Sequence, residues 1–231
     1  MKEVKCQVQS ITSLTEYVYK VLLQPEQAID FLPGQYLNFV MSEADKRPFS
    51  IASSPCDELI ELQIGAFGAD SYPMQVIERI KESSTVTIEI PLGKAELKTN
   101  SDRPLLLIAG GTGFSYIKSM FEYLANKKSQ RKVVVYWGLR DPSACYELDK
   151  TRAIIQSLAD GEFHPVVETP HDDWQGRIGM VHKVVMKDIN NLADYDIYLA
   201  GRFDMIAVVR DDFVAQGAKK DHMYADAFAF I

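Results

Sequence analysis

Cysteine is scarce: Cys6, Cys56 and Cys145 are the whole set, an odd number with no close spacing. Neither a disulfide framework nor a four-thiolate zinc or iron–sulfur site can be assembled from them, and a reducing, cytoplasmic setting is the expectation. Histidine is nearly as sparse. His164, His171, His182 and His222 stand in unrelated contexts without ligand spacing, so no metal is expected. An excess of positive charge is also missing. The 25 Lys and Arg against 32 Asp and Glu give a net charge of -7, which disfavours a nucleic-acid surface. The cluster Lys127, Lys128, Arg131 and Lys132 reads as the polar end of a helix running into a strand.

No apolar run approaches the roughly 18 residues of a membrane span, since even Leu105 to Ile117 is broken by glycines and hydroxyls. The opening Met1-Lys2-Glu3-Val4-Lys5-Cys6 lacks the apolar core of an export signal, so a soluble chain is expected. Familiar catalytic signatures are missing too. There is no Gly-x-Ser-x-Gly elbow and no Walker lysine, and the third glycine of a G-x-G-x-x-G fingerprint counted from Gly111 is replaced by Tyr116.

What is present divides the chain by hydrophobic rhythm. From Lys5 to Glu96 the pattern is mostly period-two, as in Tyr17-Val18-Tyr19-Lys20-Val21-Leu22-Leu23 and Glu61-Leu62-Gln63-Ile64, with Pro33-Gly34 as a turn. This predicts an antiparallel β-barrel over residues 1–98. One helix interrupts it, with Ser71 as cap, Pro73 in the first turn, and Met74, Ile77 and Ile80 as its apolar stripe. The polar stretch Lys98 to Arg103 reads as a linker. Beyond it, the continuous run Leu105-Leu106-Leu107-Ile108-Ala109 has the pattern of a strand buried on both faces. Strand patterns at Val133–Trp137, Phe163–Glu168 and Tyr195–Ala200 alternate with helical ones around Ile117–Leu124, Leu148–Leu158, Val181–Met186 and Met205–Phe213. Residues 104–231 are therefore expected to form an α/β domain with a parallel sheet.

Two motifs carry chemistry. Ala109-Gly110-Gly111-Thr112-Gly113-Phe114-Ser115 follows the apolar strand, and its glycines allow a sharp turn whose amides can approach phosphate or a flat ring over a helix N-terminus. Arg47-Pro48-Phe49-Ser50-Ile51-Ala52-Ser53-Ser54-Pro55 alternates like a half-buried strand, yet places Arg47 and Ser50 at its entry. The segment resembles the flavin-binding R-x-[YF]-S motif of the ferredoxin-NADP reductase superfamily. With Pro33-Gly34-Gln35-Tyr36 upstream, Pro91-Leu92-Gly93 downstream and the A-G-G-T-G loop, it appears in that superfamily's order across nearly the whole chain. Within the superfamily the chain is most similar to the small bacterial NAD(P)H:flavin oxidoreductases. Asp45-Lys46-Arg47-Pro48-Phe49-Ser50, Ala200-Gly201-Arg202-Phe203-Asp204-Met205 and Asp226-Ala227-Phe228-Ala229-Phe230-Ile231 carry that likeness, and the bioluminescence flavin reductases are ranked second.

The resemblance implies hydride transfer from nicotinamide C4 to flavin N5, with Ser50 as the catalytic donor near N5. Arg47, Pro48, Phe49, Ser50, Tyr36, Asp226 and Phe228 would bind flavin; Phe49 has a competing role in the barrel core. Gly111, Thr112, Gly113, Phe114 and Ser115, with Gly201, Arg202, Phe203 and Met205, would bind the nicotinamide cofactor. A carboxylate at Asp226 beside two Phe residues needs a hydrogen-bond partner, for which a flavin group is the expectation. Cys-Gly of many superfamily members is Ala200-Gly201 here, so positioning and stacking must serve in place of a thiol.

No Arg or Lys lies between Ile51 and Arg79 to neutralise a pyrophosphate, which favours transient use of riboflavin, FMN or FAD over tightly held FAD. Arg140 and Asp141 leave NADH against NADPH open. Expected partners are small molecules, with a flavin-dependent monooxygenase, a luciferase or ferric complexes downstream of reduced flavin, and a monomer or weak dimer is expected. An FAD-bound electron-transfer subunit and a non-catalytic flavin-binding module are the alternatives. All of these expectations require Ser50 and Thr112 to open onto one cleft.

Overall fold

A computed structural model describes residues 1–231. Strands β1 (Lys2–Ser13), β2 (Val18–Pro25), β3 (Tyr36–Ser42), β4 (Asp45–Ser50), β5 (Ile60–Gly65) and β6 (Thr85–Leu92) form one antiparallel sheet in the order β4-β3-β6-β1-β2-β5. Alternate residues face inward, so Val21 and Leu23 on β2, Leu37 and Phe39 on β3, and Ile88 and Ile90 on β6 fill one core. The two edge strands approach each other: Ala52, just past β4, donates its N–H to Glu61 O of β5 at 2.8 Å, nearly closing a barrel. Helix α1 (Tyr72–Glu82) covers its end. Ser71 caps the helix by accepting from Met74 N, and Val76, Ile77 and Ile80 are buried, each contributing about 1.5–3 kcal/mol.

The second sheet is parallel, in the order β10-β9-β8-β7-β11-β12. Its strands are β7 (Leu105–Gly110), β8 (Lys132–Leu139), β9 (Asp160–Val167), β10 (Arg177–Ile178), β11 (Asp196–Ala200) and β12 (Met223–Tyr224). Helices α2 (Phe114–Asn126), α3 (Leu148–Gln156), α4 (Val181–Asp188) and α5 (Phe203–Ala215) cover it. Two apolar clusters result: one with α2 and α3 around Leu105, Leu107, Phe114 and Phe121, the other with α4 and α5 around Leu106, Ile108, Val185 and Val209. That division follows from the alternation of side chains along the buried run Leu105 to Ala109. None of the helices is long and apolar enough to cross a membrane.

The polar stretch 98–103 is tied down rather than loose. Lys98 donates its N–H to the Tyr198 hydroxyl at 2.9 Å, and Arg131 donates to Lys98 O and Arg103 O at 2.9 and 2.8 Å. At the centre of this arrangement is Asp196, 1% exposed at the start of β11. Its carboxylate accepts from Ser101 Oγ at 2.5 Å and Arg131 at 2.9 Å, with Arg103 Nε at 3.2 Å and His222 Nδ1 at 2.8 Å. Burial alone would raise the Asp196 carboxyl, but Ser101, His222 and Arg131 together hold it below the usual carboxylate range. Arg131, grouped by sequence with a solvated helix end, belongs to this network instead.

Candidate active site

In the parallel sheet the chain runs outward from β7 through β8 and β9 to β10, then returns to place β11 on the other side of β7. Order therefore reverses between β7 and β11, and their carboxyl ends frame the crevice in which open α/β sheets bind ligands. From β7 the chain passes into the turn Gly111–Gly113 and then into α2, whose N-terminus has no side-chain cap. Gly111 has φ +54 and open space where a side chain would stand. A Cβ on Gly113 would lie 2.6 Å from the Ala200 backbone, and one on Gly110 would collide with Met205 Sδ. The loops after β7 and β11 thus meet as closely as glycine permits, bringing Gly110 to Gly113 together with Gly201 and Met205.

Trp137, wholly buried, holds the turn from beneath by donating Nε1–H to Gly111 O at 2.8 Å. Phe114 corrects one expectation. Its ring is fully buried against Trp137, with centroids 4.1 Å apart, and packs into the α/β core, so only its backbone can face a ligand. Ser115 is likewise buried, and its hydroxyl lies 3.4 Å from Gln63 Oε1 on the barrel. Arg202 and Phe203 are exposed at the mouth of the crevice, Arg202 paired with Asp204 at 2.9 Å. Farther along the sheet, Arg140 is exposed after β8, while the Asp141 carboxylate is already engaged by Ser143 N at 2.9 Å.

On the barrel, Ser50 is half-buried at the end of β4 and pairs across the ladder with Tyr36. Phe49, facing the other way, is half-buried against the barrel core. Pro48 is exposed. Tyr36 in turn packs on Gly93, whose φ is +98; a Cβ there would stand 3.1 Å from the Tyr36 ring and 3.2 Å from both Asp226 carboxylate oxygens. The segment after β12 therefore brings Asp226 from the far end of the chain to the barrel. Within the protein its partner is the backbone: Asp226 accepts from Lys94 N at 3.2 Å. Burial raises the Asp226 carboxyl, and the Lys94 and Ala95 amides offset part of that rise. Burial also raises the Tyr36 phenol, with the Asp226 charge adding to it. Phe228 is half-buried and packs against the apolar cluster that includes α4 and α5. Phe230, 73% exposed, stacks on Phe203, 55% exposed, with centroids 5.6 Å apart.

Arg47 also departs from expectation. Its side chain is 6% exposed and pairs with both Asp45 oxygens at 2.9 and 2.6 Å. It further donates to Tyr72 O at 2.6 Å and Gln75 Oε1 at 2.8 Å, and lies over the Tyr72 ring. Two of these four bonds fasten β4 to the start of α1 and two stay within β4, leaving little of the fork for a phosphate.

The two halves of the candidate site are linked through β5. Ala52, two residues beyond Ser50, bonds to Glu61 on β5, and Gly65, four residues farther along β5, abuts Thr112: a Cβ on Gly65 would lie 2.9 Å from Thr112 Cγ2. Ser50, Tyr36 and Thr112, each half-buried, are the hydroxyl-bearing residues of these adjoining elements. Hydroxyls, which both donate and accept, together with open room at Gly111, fit flat heteroaromatic rings.

Comparison with known proteins agrees with this geometry. The Oxidoreductase NAD-binding domain family matches residues 107–211, the glycine turn included. The NAD(P)H-flavin reductases of Vibrio harveyi and Aliivibrio fischeri are each 43% identical to this chain over 99% of both sequences. The chain belongs to the NAD(P)H-flavin reductase family. The fold of this reductase likewise matches that of the ferredoxin reductase in carbazole 1,9a-dioxygenase, with a TM-score of 0.86 at 25% identity over 98% of this chain and 69% of that one. Its barrel-plus-parallel-sheet architecture is therefore ferredoxin reductase-like. Among features of the reductase that sequence patterns did not single out, Trp137 beneath the turn and the polar contacts between α2 and β5 are foremost.

Proposed function

We propose that the protein reduces free riboflavin, FMN or FAD with NADH or NADPH. The observation that carries this reading is the contact between Thr112 and Gly65, which sets the glycine turn against the barrel beside the Ser50 strand. When bound, nicotinamide supplies a hydride from C4 and flavin accepts it at N5. Ser50 would donate a hydrogen bond to the flavin ring, and the Gly111–Gly113 turn with Gly201 and Met205 would seat the nicotinamide against it. Arg47 is engaged within the protein, so recognition would rest on ring and hydroxyl contacts, and the flavin would come and go as a substrate. A cytoplasmic setting accords with three free thiols, of which Cys6 is buried. The reduced flavin would pass to ferric complexes, a monooxygenase or a luciferase.

The purified protein is expected to be nearly colourless and to oxidise NADH or NADPH only after free flavin is added, with riboflavin sufficient. Absorbance of the nicotinamide followed with and without riboflavin tests this directly; a protein inert under both conditions would overturn it. Gly113→Ala should lower kcat/KM for the nicotinamide about 100-fold, the scale of a roughly 1 Å displacement, because its Cβ would push the turn off Ala200. Initial rates at varied NADH or NADPH measure that loss.

A further inference from the structure

Helix α2 is buried on two sides. Phe114, Ile117, Phe121 and Leu124 face the α/β core, while Ser115, Lys118, Ser119 and Glu122 face the barrel. On β5, alternate residues Glu61, Gln63 and Gly65 share the face that meets them. The two rows are in register. Lys118 pairs with Glu61 at 3.3 Å, Ser115 meets Gln63 at 3.4 Å, and Thr112 abuts Gly65 at the cleft. The contact grades from charged, through polar, to van der Waals as it nears the site.

Lys118 is 2% exposed, and its ammonium is surrounded by three acceptors: Glu122 at 2.9 Å, Glu61 at 3.3 Å and Ala52 O at 3.3 Å. Ala52 is two residues from Ser50, so one cation touches both the glycine-turn helix and the serine strand. Around it, Lys20 lies 3.5 Å from Glu61 and 2.8 Å from Glu147. Gln63 donates to Glu147 at 3.1 Å and accepts from Tyr146 OH at 3.2 Å. Glu147 adopts φ +51, a backbone region uncommon for a non-glycine residue, while making these bonds. Ser119 adds a bond to Ser53 O at 2.7 Å. Buried ion pairs are poor devices for raw stability, since apolar pairs of similar size often serve as well or better; fixing register is their best-attested use.

We infer that Lys118 and Glu61 are positioning residues for hydride transfer: by locking α2 onto β5 they set the height of Thr112 and Gly113 over the ring bound beside Ser50. The inference rests on the flavin-reductase reading above. Neither residue touches the reacting atoms. Each acts through the rungs between it and the turn.

The test is single-turnover reduction of riboflavin by NADH and by its 4-deuterated form in wild type, K118M, E61Q and the double variant K118M/E61L. With the register lost, the single-turnover rate should fall about 10- to 100-fold, with a larger and more temperature-dependent deuterium effect. The double variant should keep its thermal midpoint near wild type, yet still show the slow transfer. A folded K118M with wild-type rate and wild-type isotope effect overturns the inference. Should K118M not fold, E61Q, which keeps the side-chain size, decides by the same two readings. A wild type without flavin-dependent NADH oxidation would instead defeat the functional reading itself.

Discussion

Ser50→Ala is expected to slow flavin reduction by NAD(P)H about 10- to 1000-fold, the range seen when one preorganised donor is removed from an active site. The substitution keeps the Cβ and leaves intact the backbone ladder by which Ser50 pairs with Tyr36, so the barrel should fold as before. Only the hydroxyl is removed. Because a donor to the ring matters more as charge builds on the flavin than in the bound ground state, kcat should fall more than KM for riboflavin rises. Steady-state rates at varied riboflavin separate these two effects. Ser50→Thr, which keeps a hydroxyl, should retain part of the activity. An alanine variant with unchanged kcat would remove Ser50 from the chemistry.

Asp196→Ala is expected to destabilise the protein by about 3–5 kcal/mol, because it removes one partner of a buried ionic network and leaves Arg131 without its counter-charge. Urea unfolding followed by tryptophan fluorescence measures the loss. Catalysis by the folded fraction should survive, since Asp196 opens β11 while Ala200 closes it beside the crevice, about 13 Å along the strand. The carboxylate also predicts a pH dependence of definite sign. Its folded pKa is lowered, so the unfolded chain binds its proton first and stability falls with acidification. The contribution is complete above the ordinary carboxylate range near about 4, and is lost as pH drops from there through the folded pKa. In Asp196→Asn that component of the acid transition should vanish.

Much of this architecture was legible in the chain because burial leaves a period. Alternation on β2 and the unbroken run on β7 each report how many faces of a strand are covered, and the structure places those strands accordingly, whereas β5 alternates like a half-buried strand yet has its polar face, Glu61 and Gln63, covered by α2. Ser71 and Pro73 marked a helix start for the same local reason. What could not be read locally was the partner of each polar group. Arg47 and Asp226 fit the family's flavin motifs, yet Arg47 is held by Asp45 and by residues 25 and 28 positions away, and Asp226 by a backbone amide 132 positions away. Lys118 with Glu122 has the spacing of an ordinary solvent-facing helix pair; only the barrel packed across it makes it interior. Phe114 was misplaced by adjacency. It follows the glycines in sequence, but the first turn of α2 rotates its ring to Trp137 on the opposite side.

The stretch joining the barrel to the parallel sheet has a further consequence. Asp226 grips it at Lys94, the Tyr116 hydroxyl at Ala95 O, Pro33 O at Leu97 N, and the Tyr198 hydroxyl at Lys98 N. A connector pinned at successive points from both halves is a splint, not a hinge. Entry and departure of flavin and nicotinamide are then expected to depend on side chains and loops, among them the exposed Phe203–Phe230 stack, rather than on swinging of one half of the molecule against the other.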